Sequence, residues 1–429
     1  MEIIKKASFL VACLLFSVLL FAQKHNTNQV MFPSYKGLVM CGYQGWFRAE
    51  GDASGQGWVH YGHRGQFDPD HLSIDLWPDM NAYTETYPTP FIHADGSVAH
   101  VFSSVDYSTV DVHFRWMKEY GIDGVFVQRF FGETRNENVR RVTDMVLKNA
   151  LDASHKYDRA VAVMYDLSGL RPGRDDCNTI IEDWKHLVDN MQVTNYGNKQ
   201  TYLHHGNKPL VAIWGIGFPD RPYNIRDIEL EKLIDFLQND PVYGGCAVML
   251  GVPTYFSFLD YDAVNDPYLH DLIRMGDIVM PWMVGRFTMN QQGEVDRYAD
   301  LVRNDIAWSQ ENNVDYVPLV YPGFSWYNLS KIEFDGQHSL NSIPRHQGRF
   351  FWTLIREAIN EGATMLYVAM FDEIDEGTAI FKCTNDPPVN ATFTDYEGMP
   401  HDHYLWLTGK ASEYLKSGET VPQLIPERK

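Results

Sequence analysis

Apolar, β-rich runs recur along the whole chain: Leu38–Phe47, Gly124–Phe130, Ala160–Leu167, Pro209–Gly215, Gly245–Val252, Ile278–Val284, Tyr316–Tyr321 and Thr364–Phe371. Helical spacing fills several of the gaps. Val139, Val142, Val146, Ala150 and Ala153 share one face between the second and third runs, and Leu230, Leu233, Ile234 and Leu237 do so between the fourth and fifth. Strands that are apolar throughout, alternating with amphipathic helices, predict a parallel sheet covered on both faces. Eight such units over 429 residues predict a (β/α)8 TIM barrel with insertions. An open doubly wound sheet is the alternative. No G-x-G-x-x-G or Walker motif follows an early strand to support it.

A barrel places chemistry on the segments after its strands. These segments are rich in polar and aromatic residues: Tyr43 and Trp46 after strand one, Gln128-Arg129 at the end of strand two, Tyr165-Asp166 at the end of strand three, then Trp214, Tyr255, Trp282 with Arg286, and Trp326. For any one of them packing is the simpler explanation; together they predict a cleft. The insertion after strand one, roughly 48–108, is long enough for a binding wall, with a hairpin turn at Asp95-Gly96. It carries His60, His63, Asp68, Asp70, His71, Asp75 and Asp79. The glycine and distal glutamate of an EF-hand loop are missing, so surface polarity or substrate hydrogen bonding is expected there, with no metal and no cofactor assigned.

The eighth run, Met365–Phe371, feeds into four carboxylates, Asp372, Glu373, Asp375 and Glu376. Crowded carboxylates push one another's pKa values apart, so that one holds a proton while another is ionised, which is the equipment of an acid/base hydrolase. A solvated acidic turn is the plainer reading. No G-x-S-x-G elbow and no H-E-x-x-H offers another chemistry.

Composition narrows the partners. The formal charge is −20, which argues against nucleic acid and anionic membranes. Lys5 and Lys6, the apolar stretch 7–21 and Ala22 form a predicted signal peptide over 1–22, which leaves 23–429 as one barrel domain in a periplasmic or extracellular protein. Leu10-Val-Ala-Cys13 is the weaker, lipoprotein reading of the same stretch, and no later segment has the length of a membrane span. Cys41, Cys177, Cys246 and Cys383 contain no C-x-x-C pair. Cys41 and Cys246 sit in apolar runs and are expected to be buried thiols, while one disulfide remains admissible in an exported chain. The stretch from Lys416 onward is polar and is expected to form a tail.

Glu373-x-x-Glu376-Gly377-Thr378 resembles the E-W-H-E-G-T-Q motif of family 99 glycoside hydrolases, retaining endo-acting α-mannosidases on a (β/α)8 barrel, and the paired carboxylates of the related family 71 α-1,3-glucanases. Tyr43-x-x-Trp46 is similar to the aromatic cluster of that family after strand one. The resemblance implies a carbohydrate substrate. It also implies Glu376 as general acid/base, and Glu373 as the group that helps a neighbouring sugar hydroxyl attack to give an anhydro-sugar. Ile374, Asp375 and Ala379 stand where the family motif has Trp, His and Gln, so substrate contacts made by those side chains do not carry over.

The chemistry agrees with this independently. Cleaving an acetal needs one group to protonate the leaving oxygen and another on the far side of the bond. Trp46, Tyr165, Trp214, Tyr255, Trp282 and Trp326 are candidates to line the groove, with Tyr43 beside them. Asp166 and Arg129 are candidates for hydroxyl contacts, and Asp372 for an ion pair with Arg129 or Arg286. A non-catalytic glycan-binding barrel and a related glycosyltransferase are the alternatives.

Overall fold

The computed structural model describes residues 23–333 and 338–428. The expected leader lies outside the described residues. Among the described residues there are twelve strands: β1 (Val39–Tyr43), β2 (Tyr87–Ile92), β3 (Val98–Val101), β4 (Gly124–Phe130), β5 (Ala160–Asp166), β6 (His204–His205), β7 (Lys208–Trp214), β8 (Ala247–Pro253), β9 (Ile278–Trp282), β10 (Asp315–Tyr316), β11 (Leu319–Val320) and β12 (Leu366–Val368). The main sheet runs β10-β9-β8-β7-β5-β4-β1-β12-β11, and its neighbours on this path are parallel.

Its two ends are one stretch of chain. β10 pairs with β9 and β11 pairs with β12, and only Val317-Pro318 separates them. The Val317 amide donates to Val279 O at 3.1 Å on one side, and the Tyr367 amide donates to Pro318 O at 3.1 Å on the other. Proline has no amide hydrogen to offer a ladder, so the seventh strand is split there while still bridging both neighbours. The sheet therefore closes into the (β/α)8 barrel, and the open doubly wound alternative falls.

The helices form where the apolar spacing places them. Glu137–Tyr157 starts at Asn136, whose side chain accepts the Val139 amide, and buries Val142, Val146, Ala150 and Ala153. Leu230–Asn239 buries Leu230, Leu233, Ile234 and Leu237. At the N-terminal end of the barrel, Asp123 accepts hydrogen bonds from the Val39 amide and Ser412 Oγ and pairs with Lys416 Nζ at 2.5 Å. Lys416 thus belongs to the helix His403–Ser417, and the chain beyond it is not a loose tail. Val421 is buried, and Pro422 O accepts from Trp352 Nε1. All four described cysteines are buried free thiols.

The insertion after β1 carries the expected hairpin: β2 and β3 pair antiparallel, and Gly96 takes a φ of +85° at its turn. Asp75 accepts from Ser325 Oγ and from the Tyr327 and Asn328 amides, fastening the insertion to the segment after β11. Asp68 pairs with His71, and Asp79 caps a short turn and meets His401.

Candidate active site

The loop 372–379 after β12 is a built structure. Asp372, fully buried, accepts the Gln44 and Gly45 amides at 2.8 and 2.9 Å, so it locks the exit of β1 against that of β12. Burial pushes its carboxyl up to about 7. The ion pair expected for it does not form: Arg129 meets Asp183 and Asp144, and Arg286 meets Asp262. Gly377 turns the loop with a φ of +62°, and a Cβ there would lie 2.9 Å from the Ser325 amide nitrogen. Arg345, 1% exposed, donates to the Gly377 and Ala379 carbonyls at 2.7 and 2.8 Å and clamps the turn.

Within this frame Glu373 is 2% exposed. It accepts from Gln44 Nε2 at 2.5 Å and from Thr378 Oγ1 at 2.7 Å. Burial, then the charges of Glu376 and Asp375, raise its pKa well above the usual carboxylate range, while the two donors oppose the rise. Glu376 is half-buried, and among the described residues no donor bonds its carboxyl. Burial pushes it up to about 8, with Asp375 and Asp166 adding to the rise and Arg221 opposing it. Asp166, at the end of β5, is raised to about 6, mainly by burial; the Ser168 amide donates to it at 2.7 Å. Glu373, Asp375, Glu376 and Asp166 thus interact electrostatically at one end of the barrel. Two neighbouring carboxyls whose pKa values are both raised, one of them fixed by two donors, can give and take protons near neutral pH.

Strand parity decides which other candidates join them, because successive side chains point to opposite faces. Gln128 faces inward and donates to Tyr367 OH at 3.1 Å; Asp166 shares its parity through the register Gln128↔Met164 and Phe130↔Asp166. Trp214, opposite Asp166, packs edge-on to Trp282 at 5.3 Å and stands under the Arg221 guanidinium at 5.0 Å. Trp46 is stacked between His60, at 3.8 Å and 6°, and Phe130, at 5.2 Å.

Arg129 and Tyr165 have the other parity. Arg129, 1% exposed, donates to both Asp183 oxygens at 2.5 and 2.7 Å and to Asp144 at 2.8 Å, and Tyr165 OH joins Asp183 at 2.9 Å. Both are spent on the outer layer and are closed to a ligand. Tyr43 is likewise enclosed, its hydroxyl 2.9 Å from His113 Nδ1. Tyr255 leans on Tyr261, and Trp326 lies beside Phe324 and His338; both are half-buried and neither is brought against the glutamates by a described contact.

Three comparisons bear on what this arrangement belongs to. No family model matches the chain. A glycoprotein endo-α-1,2-mannosidase of Rattus norvegicus is 21% identical over 368 residues, covering 83% of this chain and 68% of that protein. A glycoprotein endo-α-1,2-mannosidase-like protein of Mus musculus is 23% identical, covering 81% and 66%. The chain spans about two thirds of the length of these curated relatives. Among solved structures, the GH99 endo-α-mannosidase of Bacteroides thetaiotaomicron superposes with a TM-score of 0.62 at 16% identity, covering 89% of this chain and 98% of that one. The chain is thus similar in sequence to these endo-α-1,2-mannosidases and in fold to that GH99 enzyme.

Two residues of the site, Gln44 and Arg221, are not among the sequence candidates; His60 is, as one of the polar groups of the insertion. Gln44 holds Glu373, Arg221 is the cation that acts on both Glu376 and Asp166, and His60 Nδ1 lies 3.3 Å from Asp375 Oδ2. Gln44 stood in a strand-end motif that offered a signal. Arg221 and His60 lie in loops whose sequence has no period. A groove of about 1240 Å3 between the β2–β3 hairpin and residues 384–393 is lined by none of the four carboxylates, so chemistry rather than volume locates the site. Among the described residues no three His, Cys, Asp or Glu side chains are grouped to hold a metal, and no described helix is long and apolar enough to cross a membrane.

Proposed function

We propose that this chain is a retaining glycoside hydrolase that cleaves within α-linked, mannose-containing glycans. The observation that carries this is the unequal pair: Glu373 immobilised by Gln44 and Thr378, and Glu376, without a bonded donor among the described residues, raised to about 8. Both carboxyls are raised, Glu373 well above the usual range, so the pair holds protons readily; in the proposed reaction Glu376 is the acid, and the two donors on Glu373 favour its charge when it acts as base. Glu373 takes the proton of a ring hydroxyl as that oxygen attacks the anomeric carbon, and Glu376 gives its proton to the departing oxygen. Water then opens the anhydro-sugar with Glu376 as base, and Glu373 returns its proton to the hydroxyl oxygen that had attacked.

The names of the curated relatives support α-mannosides as the first substrates to try. Incubation with α-1,2-linked mannose oligosaccharides should release new reducing ends with the α configuration retained, read by proton NMR in the first minutes. Release of the β anomer first would refute retention, and binding without release would return the chain to a glycan-binding role. The chain is also proposed to act after export. Mass spectrometry of the processed N-terminus should find a start near Gln23; a lipidated Cys13 would instead mean membrane anchoring.

A further inference from the structure

Among the described residues only three aromatic rings are exposed, Tyr107, Phe258 and Tyr261, and the last two share one loop. Phe258 is 55% exposed and Tyr261 71%. The loop follows β8, which is joined to β12 through parallel neighbours, so it opens at the same end of the barrel as the acidic loop. Keeping two large rings in water is unfavourable, and here the backbone is built to do it. Asp262 accepts the Thr254 and Tyr255 amides at 3.3 and 3.1 Å and pairs with Arg286 Nε at 2.8 Å. Ser257 Oγ donates to the buried Asp305 at 2.6 Å. Leu259 and Tyr261 both hold a φ of +54°, a conformation that costs a non-glycine residue free energy and persists where the surroundings enforce it. Tyr261 leans on the half-buried Tyr255, ring centroids 4.6 Å apart. The loop is also tied to the candidate site. The Val264 amide donates to Gly217 O at 2.9 Å, and the next residue, Phe218, packs on Trp214 at 5.0 Å. Both rings stand under Arg221, the cation that acts on Glu376 and Asp166. Thr254 Oγ1 donates to Trp282 O at 2.6 Å, and Trp282 meets Trp214 edge-on.

We propose that Phe258 and Tyr261 form a second sugar-binding platform, on which a ring of the same α-linked, mannose-containing glycan stacks, beyond the ring being cleaved. A protein partner is the wrong size for it. A stable interface buries roughly 800 Å2 on each side, whereas a whole aromatic side chain supplies about 200 Å2. The apolar face of one pyranose matches one such ring. Asp260 lies between the two in sequence and is exposed, and Arg286 is exposed and held at Asp262, so groups that hydrogen-bond sugar hydroxyls stand beside the apolar surface. The platform takes its ligand from the hydrolase reading above and extends that reading to the outer part of the substrate.

The test is chain length. Turnover is measured on α-1,2-linked mannose oligosaccharides, from the shortest chain that is cleaved to one several rings longer, and binding of the longest chain is read by calorimetry. For the intact protein kcat/KM should rise with length. Y261A/F258A should lose roughly tenfold on the longest chain, through KM, and stay within about twofold on the shortest. Tyr261→Trp keeps a flat ring and should keep the long-chain advantage. Melting temperature should not move, because both rings are exposed; a merely structural role would lower it together with kcat at every length. If E376Q is inactive while Y261A/F258A stays within twofold of the intact protein at every length, the platform is wrong and the hydrolase reading stands. If no chain is cleaved, yet the longest binds and Y261A/F258A binds it at least tenfold more weakly, the hydrolase reading is wrong and the platform stands. If no chain is cleaved or bound, both fall together. Sedimentation of the intact protein as a dimer that Y261A/F258A turns into a monomer would overturn the platform in favour of a second copy of the chain.

Discussion

Two acidic clusters lie one outside the barrel wall and one at its mouth, and they treat charge in opposite ways. On the outer face of β4 and β5, Asp183 and Asp144 meet the buried guanidinium of Arg129, with Tyr165 OH as a further donor. Burial works against the charge on Arg129, yet Asp183 more than offsets it and holds the pKa above the usual value. At the mouth, Glu373, Asp375, Glu376 and Asp166 crowd together, and Glu373, Glu376 and Asp166 are all raised, first by burial. The outer cluster spends its groups on one another. The inner cluster leaves Glu376 as a half-buried acid with no bonded donor among the described residues, which is the state a reaction needs. Adjacent residues, Gln128 and Arg129 or Tyr165 and Asp166, therefore serve different purposes because of strand parity alone.

The comparison can be broken at several points. The largest effect belongs to the inner cluster. Glu376→Gln should lower kcat on an oligosaccharide by roughly 10²–10⁴-fold, the span for loss of a general acid. Glu373→Gln should cost a similar factor, with binding of the oligosaccharide retained in calorimetry. The outer cluster should answer in stability instead. Arg129→Met leaves Asp183 buried without its partner and should cost roughly 3–5 kcal/mol of unfolding free energy. Denaturant unfolding checks this, and an Arg129 variant of normal stability but altered KM would show that the outer cluster had been misassigned.

The difference between the clusters was only partly legible in the sequence. The eight strands were, because a buried parallel strand is apolar along its whole length. The acidic loop was legible because it follows such a strand directly. The side a strand-end residue faces was not. Arg129 and Tyr165 looked like site residues because polar groups at the mouth of a barrel attract that reading, and only the register against β4 and β5 shows that they point outward. Asp372 looked like an ion-pair partner because its true partners are backbone amides, which no sequence displays. His60 and Arg221 come from loops and are brought in by tertiary contacts.

Smaller effects sharpen the account of the inner cluster. Gly377→Ala places a Cβ on a backbone with a φ of +62° and against Ser325, and should destabilise the loop by about 1–3 kcal/mol while lowering kcat. Thermal melting and turnover should fall together. The pH profile tests the charges. Glu376 must be protonated to act as acid, so turnover should fall as pH rises through about 8. Arg221 holds that value down, so Arg221→Met should raise it and move the basic limb to higher pH. A limb that moved to lower pH would contradict the placement of Arg221 beside the acid.

The most direct measurement of the central claim compares leaving groups. Turnover of E376Q and E373Q is measured on the natural oligosaccharide and on an aryl glycoside whose phenol departs without protonation. The account predicts that E376Q regains much of its lost activity in forming the anhydro-sugar from the aryl substrate, whereas E373Q does not, because the Glu373 task lies on the other side of the bond. Equal relief of both variants, or near-full activity of both on the oligosaccharide, would contradict the division of labour assigned to the two glutamates.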